Sequence, residues 1–256
     1  MPIVLRSRKQ IDKLRAAGQL VAATYAEIRP HIQPGVTTLE LDRMAEEFIR
    51  KHDGIPAYKG YKPRFASSPF PGTVCIAVDD VICHGFPTKT RLEEGQIVGI
   101  DIGLFLDSWC GDACVTFPVG KVSDEAQRLL TIAEESMWRG IRAAKVAGHM
   151  GDIGAAIQGY AESEGCSVVR EYGGHGVGQK VHDEPSSVPH HGKPGTGINL
   201  RSGLVITIEP MINLGHHGTK IDADGWTVRT VDGSLSAQFE HTIAITENGP
   251  EILTAA

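Results

Sequence analysis

Four acidic side chains stand where the surrounding apolar pattern leads one to expect another apolar residue. They are Asp101 in GIDIG (99–103), Asp112 in CGDAC (110–114), Glu209 in TIEPM (207–211) and Glu240 in QFEHT (238–242). One such acid alone reads as a solvated strand end, because acids are seldom fully buried. Four at matched places in a repeated pattern read as a cluster. Gly95 precedes Asp101 by six residues at the head of an apolar strand, and Gly203 precedes Glu209 in the same way, 108 positions later (209 minus 101). Asp112 is followed by apolar Val115 and Phe117, and Glu240 by Ile243 and Ile245, at the same offsets. If the repeats pack about a pseudo-two-fold axis, matched acids converge on it. Carboxylates held so close repel one another and retain protons. Burying them is costly unless they are paired or bind metal, and two divalent cations would neutralise all four.

Such a site needs a softer ligand. The strongest histidine candidate is His175 in EYGGHGVG (171–178), where flanking glycines are expected to allow close backbone approach and positive φ. His182 in VHDEP (181–185) and His84 in CHGFP (83–87) are the other two. His31, His52, His149, His190, His191, His216 and His217 lie in polar or Gly/Pro-rich stretches and are expected at the surface. His241 adjoins Glu240, but neighbouring side chains on a strand point to opposite faces, so both are not expected to be ligands. An oxygen-rich set of this kind suits Mn²⁺, Fe²⁺ or Co²⁺, with Zn²⁺ also compatible. Two such ions about 3.5–4 Å apart can activate a shared water and clamp a hydrolytic transition state.

The elements that must position these groups are legible in the periodicity. Ile11, Leu14, Ala17, Val21 and Ile28 mark one helix with Ser7 as N-cap. Thr37 and Glu40 form a capping box for a second, whose buried face is Leu41, Met44, Ala45, Phe48 and Ile49. A loop rich in Gly, Pro and aromatics covers about 55–73. Strands are expected at 74–78, 96–106 and 113–119, helices at 123–146 and 152–164, and further strands at 204–210 and 238–246. The order helix–helix–strands thus occurs twice. PGVTT at 34–38 is echoed by AGHMG at 147–151. Self-similarity near 110 residues indicates a duplicated α+β unit with mixed sheets facing each other and helices outside. The tail Thr254-Ala255-Ala256 is expected to be disordered.

Composition narrows the class. Of 256 residues 41% are hydrophobic and 22% charged, as in an ordinary globular protein. The net charge of −6 gives no electrostatic reason for nucleic acid or an anionic membrane as partner. No signal-peptide core or membrane-spanning run is present. Five cysteines without a CxxC pair argue against a disulfide framework and a structural zinc site, so the cytoplasm is the expected compartment.

Taken together, CHGFP (83–87), GIDIG (99–103), GD (111–112), GGHGVGQKVHDEP (173–185), TIEPM (207–211) and SAQFEHT (236–242) resemble type I methionine aminopeptidases, over nearly the whole chain and in the right order. The resemblance implies the pita-bread fold in a single catalytic domain, 1–256, made of two similar halves at about 1–120 and 121–256. It implies two divalent ions (Co, Mn, Fe or Zn). Asp101 and Asp112 would chelate one, Asp112 and Glu240 would bridge the pair, and His175 and Glu209 would complete the second. His182 would meet the scissile carbonyl, His84 the substrate's backbone nitrogen, and Glu209 would shuttle a proton. Tyr58, Tyr61, Phe70, Cys75 and Trp226 look like the methionine pocket. The substrate would be a nascent chain whose second residue is small; contact with the ribosome stays open, and a monomer is expected. Two features depart from the family pattern. Extra residues at 62–69 leave either Tyr61 or Phe70 to fill one pocket position, and Val181 replaces a bulkier aromatic, which widens the pocket. X-Pro enzymes of the same fold generally carry an extra N-terminal domain, whereas here the catalytic unit begins near residue 1. Non-catalytic peptide-binding relatives tend to lose metal ligands, all of which are filled here.

Overall fold

The computed structural model describes residues 3–63, 66 and 68–255. Two helices come first, α1 (Arg8–Ile28) and α2 (Thr38–Lys51), joined by a 3-10 turn at Arg29–His31. Both start as the sequence indicates. The Ser7 N–H donates to Gln10 Oε1 at 2.9 Å, and the Thr37 N–H to Glu40 Oε2 at 2.7 Å. Such reciprocal caps satisfy backbone groups that the first turn leaves unpaired. The second helix pair is α3 (Asp124–Ala143) and α4 (Met150–Ser163). The chain leaves α3 three residues earlier than the periodicity suggests and enters α4 two residues earlier, because His149 acts as N-cap.

The strands in chain order are β1 (Ile55–Pro56), β2 (Cys75–Val78), β3 (Val81–Cys83), β4 (Ile97–Leu106), β5 (Trp109–Pro118), β6 (Ser167–Val168), β7 (Gly174–Gly176), β8 (Asp183–Val188), β9 (Val205–Ile208), β10 (Met211–Asn213), β11 (Thr219–Ile221), β12 (Val228–Thr230), β13 (Ser236–Gln238), β14 (His241–Thr246) and β15 (Gly249–Ile252). Every described pairing is antiparallel. One apolar core lies between the first sheet and α1–α2, a second between the later sheets and α3–α4.

The duplication is visible in the backbone. Gly95 and Gly203, the glycines that precede the matched acids, have φ of 93° and 92°. Side chains rarely adopt that conformation, so the repeat keeps glycine at both. The helix-start segments also match: Thr37 bridges to Arg91, and His149 to Asn199. The acid-bearing strand pairs correspond but differ in continuity. β4 and β5 form an unbroken ladder in which Asp101 faces Cys114 and Gly103 faces Asp112. In the second unit β9 pairs with β14 and β10 with β13, in different sheets. Expected as continuous strands, 204–210 and 238–246 instead break at Glu209-Pro210 and Phe239-Glu240. Pro210 has no N–H to give to a ladder, which favours the break.

The two units meet along β5. Thr116 Oγ1 donates to the Gln238 carbonyl at 2.7 Å, the Glu240 N–H donates to the Cys114 carbonyl at 2.8 Å, and Thr242 Oγ1 donates to the Asp112 carbonyl at 2.7 Å. These bonds bring Asp112 and Glu240 to the centre. One expectation about the periphery changes. Thr254 is buried, with Oγ1 2.8 Å from His241 Nδ1, so the tail is packed at least to that residue; Ala256 lies outside the described residues. All five cysteines are free and buried.

The glycine of the Gly-Asp motif has a packing reason. A Cβ at Gly111 would stand 2.6 Å from the Ala17 carbonyl carbon and 2.8 Å from the Gly18 nitrogen. Helix backbone cannot rotate away as a side chain can. Gly111→Ala should therefore destabilise the protein by about 1–3 kcal/mol, which at this size lowers Tm by about 2–4 °C per kcal/mol. An unchanged melting curve in scanning calorimetry would show that α1 does not press on β5 at this point.

Candidate metal centre

The strands deliver four carboxylates to one place. Asp112, Glu209 and Glu240 are buried and Asp101 half-buried. One oxygen from each of Asp101, Asp112 and Glu240 lies within 4.8 Å of the others, a spacing that one ion's coordination sphere can bridge. Glu209 is linked to them through His175, whose Nε2 is 3.7 Å from both Asp112 Oδ2 and Glu209 Oε1. Among the described residues no lysine or arginine pairs with any of the four.

Burial raises the pKa of every one of these acids. Asp101 is pushed up to about 7 and Glu209 to about 8. Asp112 and Glu240 are raised well above the usual range by burial and then by repulsion from neighbouring acids. The geometry agrees. The Tyr58 hydroxyl stands 2.6 Å from Asp101 Oδ1 and 2.5 Å from Asp112 Oδ1. One O–H proton cannot serve both acceptors fully, and a proton retained on either carboxyl relieves the second contact.

His175 is held as a neutral ligand. Its Nδ1 lies 3.0 Å from the Gly176 carbonyl, which can only accept, so the proton sits on Nδ1 and the Nε2 lone pair faces the carboxylates. Burial lowers its pKa to about 3, so a second ring proton is disfavoured. Once the carboxyls ionise, this becomes an acceptor aimed at acceptors, which is stable only with a cation between them. The donor set therefore fits divalent metal. The glycines around His175 serve close approach, as expected, but not positive φ: Gly174 is placed where a Cβ would lie 2.4 Å from the Thr207 carbonyl oxygen, and none of Gly173, Gly174, Gly176 and Gly178 has positive φ.

His84 and His182 face the same cavity of about 160 Å³. His84 sits at φ 57°, an uncommon conformation for a side-chain residue, and Gly85 after it packs directly on the Ile76 carbonyl. Burial lowers the His84 pKa to about 4. His182 stands in the exposed mouth, its ring centroid 4.3 Å from that of His175, and partial desolvation lowers its pKa. Tyr58, Tyr61, Phe70, Cys75 and Trp226 all line the cavity. Both Tyr61 and Phe70 are used. Phe70 packs edge-on to Trp226 at 5.3 Å, while the Tyr61 hydroxyl reaches to 3.4 Å from His182 Nδ1. Their backbones pair through Phe70 N–H to the Tyr61 carbonyl at 2.9 Å, which pinches off the extra segment 62–69. Arg64, Phe65 and Ser67 of that segment lie outside the described residues. Val181 lines a neighbouring groove with Tyr61 and His182 and is not among the residues lining the cavity.

A model of metallopeptidase family M24 matches residues 12–247. The chain belongs to this family. Among its relatives is methionine aminopeptidase 1 of Bacillus subtilis, 46% identical over 98% of this chain and 99% of that protein. Methionine aminopeptidase A of Synechocystis is 48% identical over 98% of this chain and 97% of that protein. The crystal structure of methionine aminopeptidase from Rickettsia prowazekii superposes with a TM-score of 0.95 at 44% identity, covering 99% of this chain and all of that one. A prolidase from Pyrococcus horikoshii, 23% identical, matches at 0.75 while this chain spans 64% of it, which shows the shared pita-bread fold. As an M24 metallopeptidase the protein is a peptide-bond hydrolase that uses divalent metal.

Several groups of this M24 site escape sequence reasoning. Thr207 Oγ1 accepts from the His175 N–H at 2.9 Å and donates to Glu209 Oε1 at 2.7 Å. Gln238 Nε2 donates to Glu209 Oε2 at 3.2 Å. Both stand two residues before an acid, and that alternation was the available signal. His190, expected at the surface, is 1% exposed, and its Nε2 accepts from the Glu209 N–H at 3.2 Å. His149, His191 and His217 are half-buried, His31, His52 and His216 exposed. His241 packs beside Trp138 at 5.5 Å, away from the cluster, as strand alternation requires.

The acid shifts set a pH dependence. A carboxyl whose folded pKa exceeds its unfolded value binds more protons when folded, so stability falls as pH rises through the folded pKa. Above pH 7 the unfolded histidines are mostly neutral and offset little. The Tm of metal-free protein should therefore fall between pH 7 and 8, the range of Asp101 and Glu209. Saturating Mn²⁺ should remove the fall. A metal-free Tm that rises over this range would contradict the burial of protonated acids.

Proposed function

We propose that this chain removes the N-terminal methionine from polypeptides whose second residue is small, using two divalent ions. The observation that carries the metal assignment is the neutral His175 Nε2 aimed at Asp112 and Glu209. The substrate follows from the relatives that are methionine aminopeptidases, 42–48% identical over nearly the whole chain. The whole chain acts as one catalytic unit, with halves at about 1–120 and 121–256, working as a monomer in the cytoplasm on nascent chains.

Asp101 and Asp112 would hold one ion, Asp112 and Glu240 would be shared, and His175 and Glu209 would complete the other. The pair supplies Lewis acidity and lowers the pKa of water in the site. The Glu209 carboxylate, oriented by Thr207 and Gln238, takes a proton from the attacking water and passes it to the leaving amine. His182 donates to the scissile carbonyl oxygen as it gains charge, an interaction strongest in the transition state. His84, kept neutral by burial, retains an acceptor nitrogen for a substrate backbone N–H. Phe70, Trp226, Tyr58 and Cys75 enclose an unbranched thioether, because sulfur packs well on ring edges.

Metal analysis together with peptide turnover tests this reading. Met-Ala-Ser should be cleaved, acetyl-Met-Ala-Ser should be inert, and Met-Lys-Ser should be slow. Leu-Ala-Ser should be poorer only to the extent of about 1–3 kcal/mol, the usual discrimination of an apolar pocket. Glu209→Gln should lose at least about 10²-fold in kcat. Faster cleavage of Ala-Pro or Leu-Pro peptides than of Met-Ala-Ser would replace the methionine pocket with an X-Pro site.

A further inference from the structure

The structure assigns to Arg6 the positioning of His182 relative to the acid-bearing strand β5. The inference rests on the role proposed above for His182. Gly176 pairs with Asp183 across the β7–β8 ladder, so residues 177–182 form a closed turn and His182 is its last member. His182 is exposed, and its described contacts are ring contacts with His175 and Tyr61 and a long approach from the Tyr61 hydroxyl. None is strong enough to fix an imidazole, so its place is set by the backbone that carries it.

That backbone is tied to β5 in two ways. The Cys110 N–H donates to the Gly178 carbonyl at 2.9 Å. The second tie runs through Arg6. Its guanidinium pairs with Asp183, the residue after His182, and lies over the Trp109 ring with Cζ 5.7 Å from the centroid. The side chains of Arg6 and Asp183 are 10% and 20% exposed, so the pair is shielded from water far more than a surface ion pair. Gly178 records how deeply the guanidinium enters the turn: a Cβ there would stand 2.0 Å from Arg6 Nη2 and 2.5 Å from Asp183 Oδ2. Arg6 is itself anchored, its N–H donating to the Gly203 carbonyl at 2.7 Å beside the Leu5–Leu204 bridge.

Trp109 and Cys110 open the strand that carries Asp112. Arg6 therefore spans the carboxylate strand and the histidine turn, and sets the distance between them. A planar guanidinium can stack on an indole while donating in its own plane to a carboxylate; an ammonium cannot do both. A transition-state donor displaced by an ångström loses rate, not affinity.

The test uses the metal-loaded full chain with Met-Ala-Ser as substrate. Arg6→Ala, Arg6→Lys, Asp183→Asn, His182→Ala and the double variant Arg6→Ala/His182→Ala are compared for kcat, KM and metal affinity by titration calorimetry. Arg6→Ala should lower kcat by about 10-fold or more, within the 10²-fold that an ångström of misplacement can cost. KM and metal affinity should hold. Asp183→Asn should behave alike, and Arg6→Lys should recover part of the rate. In the His182→Ala background Arg6→Ala should cost nothing further, since a residue acting through another is silent once that other is gone. An equal added loss in that background, or a wild-type kcat in Arg6→Ala, overturns the proposal. Should Arg6→Ala fail to fold, Arg6→Lys enters the same cycle. A wild-type kcat in His182→Ala overturns the reading of His182 instead, and the inference with it.

Discussion

Four carboxylates and one neutral imidazole share a largely buried space, and every one of these groups resists the charge it would carry outside. Burial and mutual repulsion favour protons on the acids. Burial also denies a proton to His175. Once the acids ionise, a compact source of positive charge must balance them, and no lysine or arginine among the described residues supplies it. The surrounding architecture follows from this constraint. The acids must be held close before any cation arrives, so they are placed on ladder strands and strand breaks rather than on loops.

The helices and glycines serve that placement. α1 presses backbone against backbone on Gly111, which fixes the strand immediately before Asp112. Gly103, at the end of the GIDIG segment, leaves room for the Tyr58 ring, since a Cβ there would stand 2.6 Å from Tyr58 Cζ. The Tyr58 hydroxyl then reaches Asp101 and Asp112 together. Tyr58 thus belongs to the carboxylate cluster as well as to the cavity wall, which is more than a pocket residue would do.

Much of this was legible from residue types and spacing, and the limit has a physical origin. Asp101, Asp112, Glu209 and Glu240 stand out because they violate a local apolar period, and Gly95 and Gly203 because each precedes its acid by the same interval. The reciprocal caps at Ser7 and Thr37 are likewise short-range patterns. What escaped is long-range. His190 is buried by contacts formed only when its loop returns to Glu209, 19 residues away. The breaks at Glu209-Pro210 and Phe239-Glu240 arise because one strand pair serves two sheets, and no alternation of polar and apolar residues encodes that.

The unequal continuity of the two strand pairs gives the site a fixed jaw and an adjustable one. Asp101 and Asp112 ride on a ladder of ten paired residues a side, where any shift in register would disrupt hydrogen bonds along its whole length. Glu209 and Glu240 sit at gaps whose neighbours answer to two different sheets. Repacking around Pro210 would therefore shift Glu209, while the ladder side, with Glu240 tied to it through the Cys114 carbonyl, keeps its alignment. A duplicated fold of this kind can adapt to ions of different radius by altering one copy of the repeat and leaving the other as the reference edge.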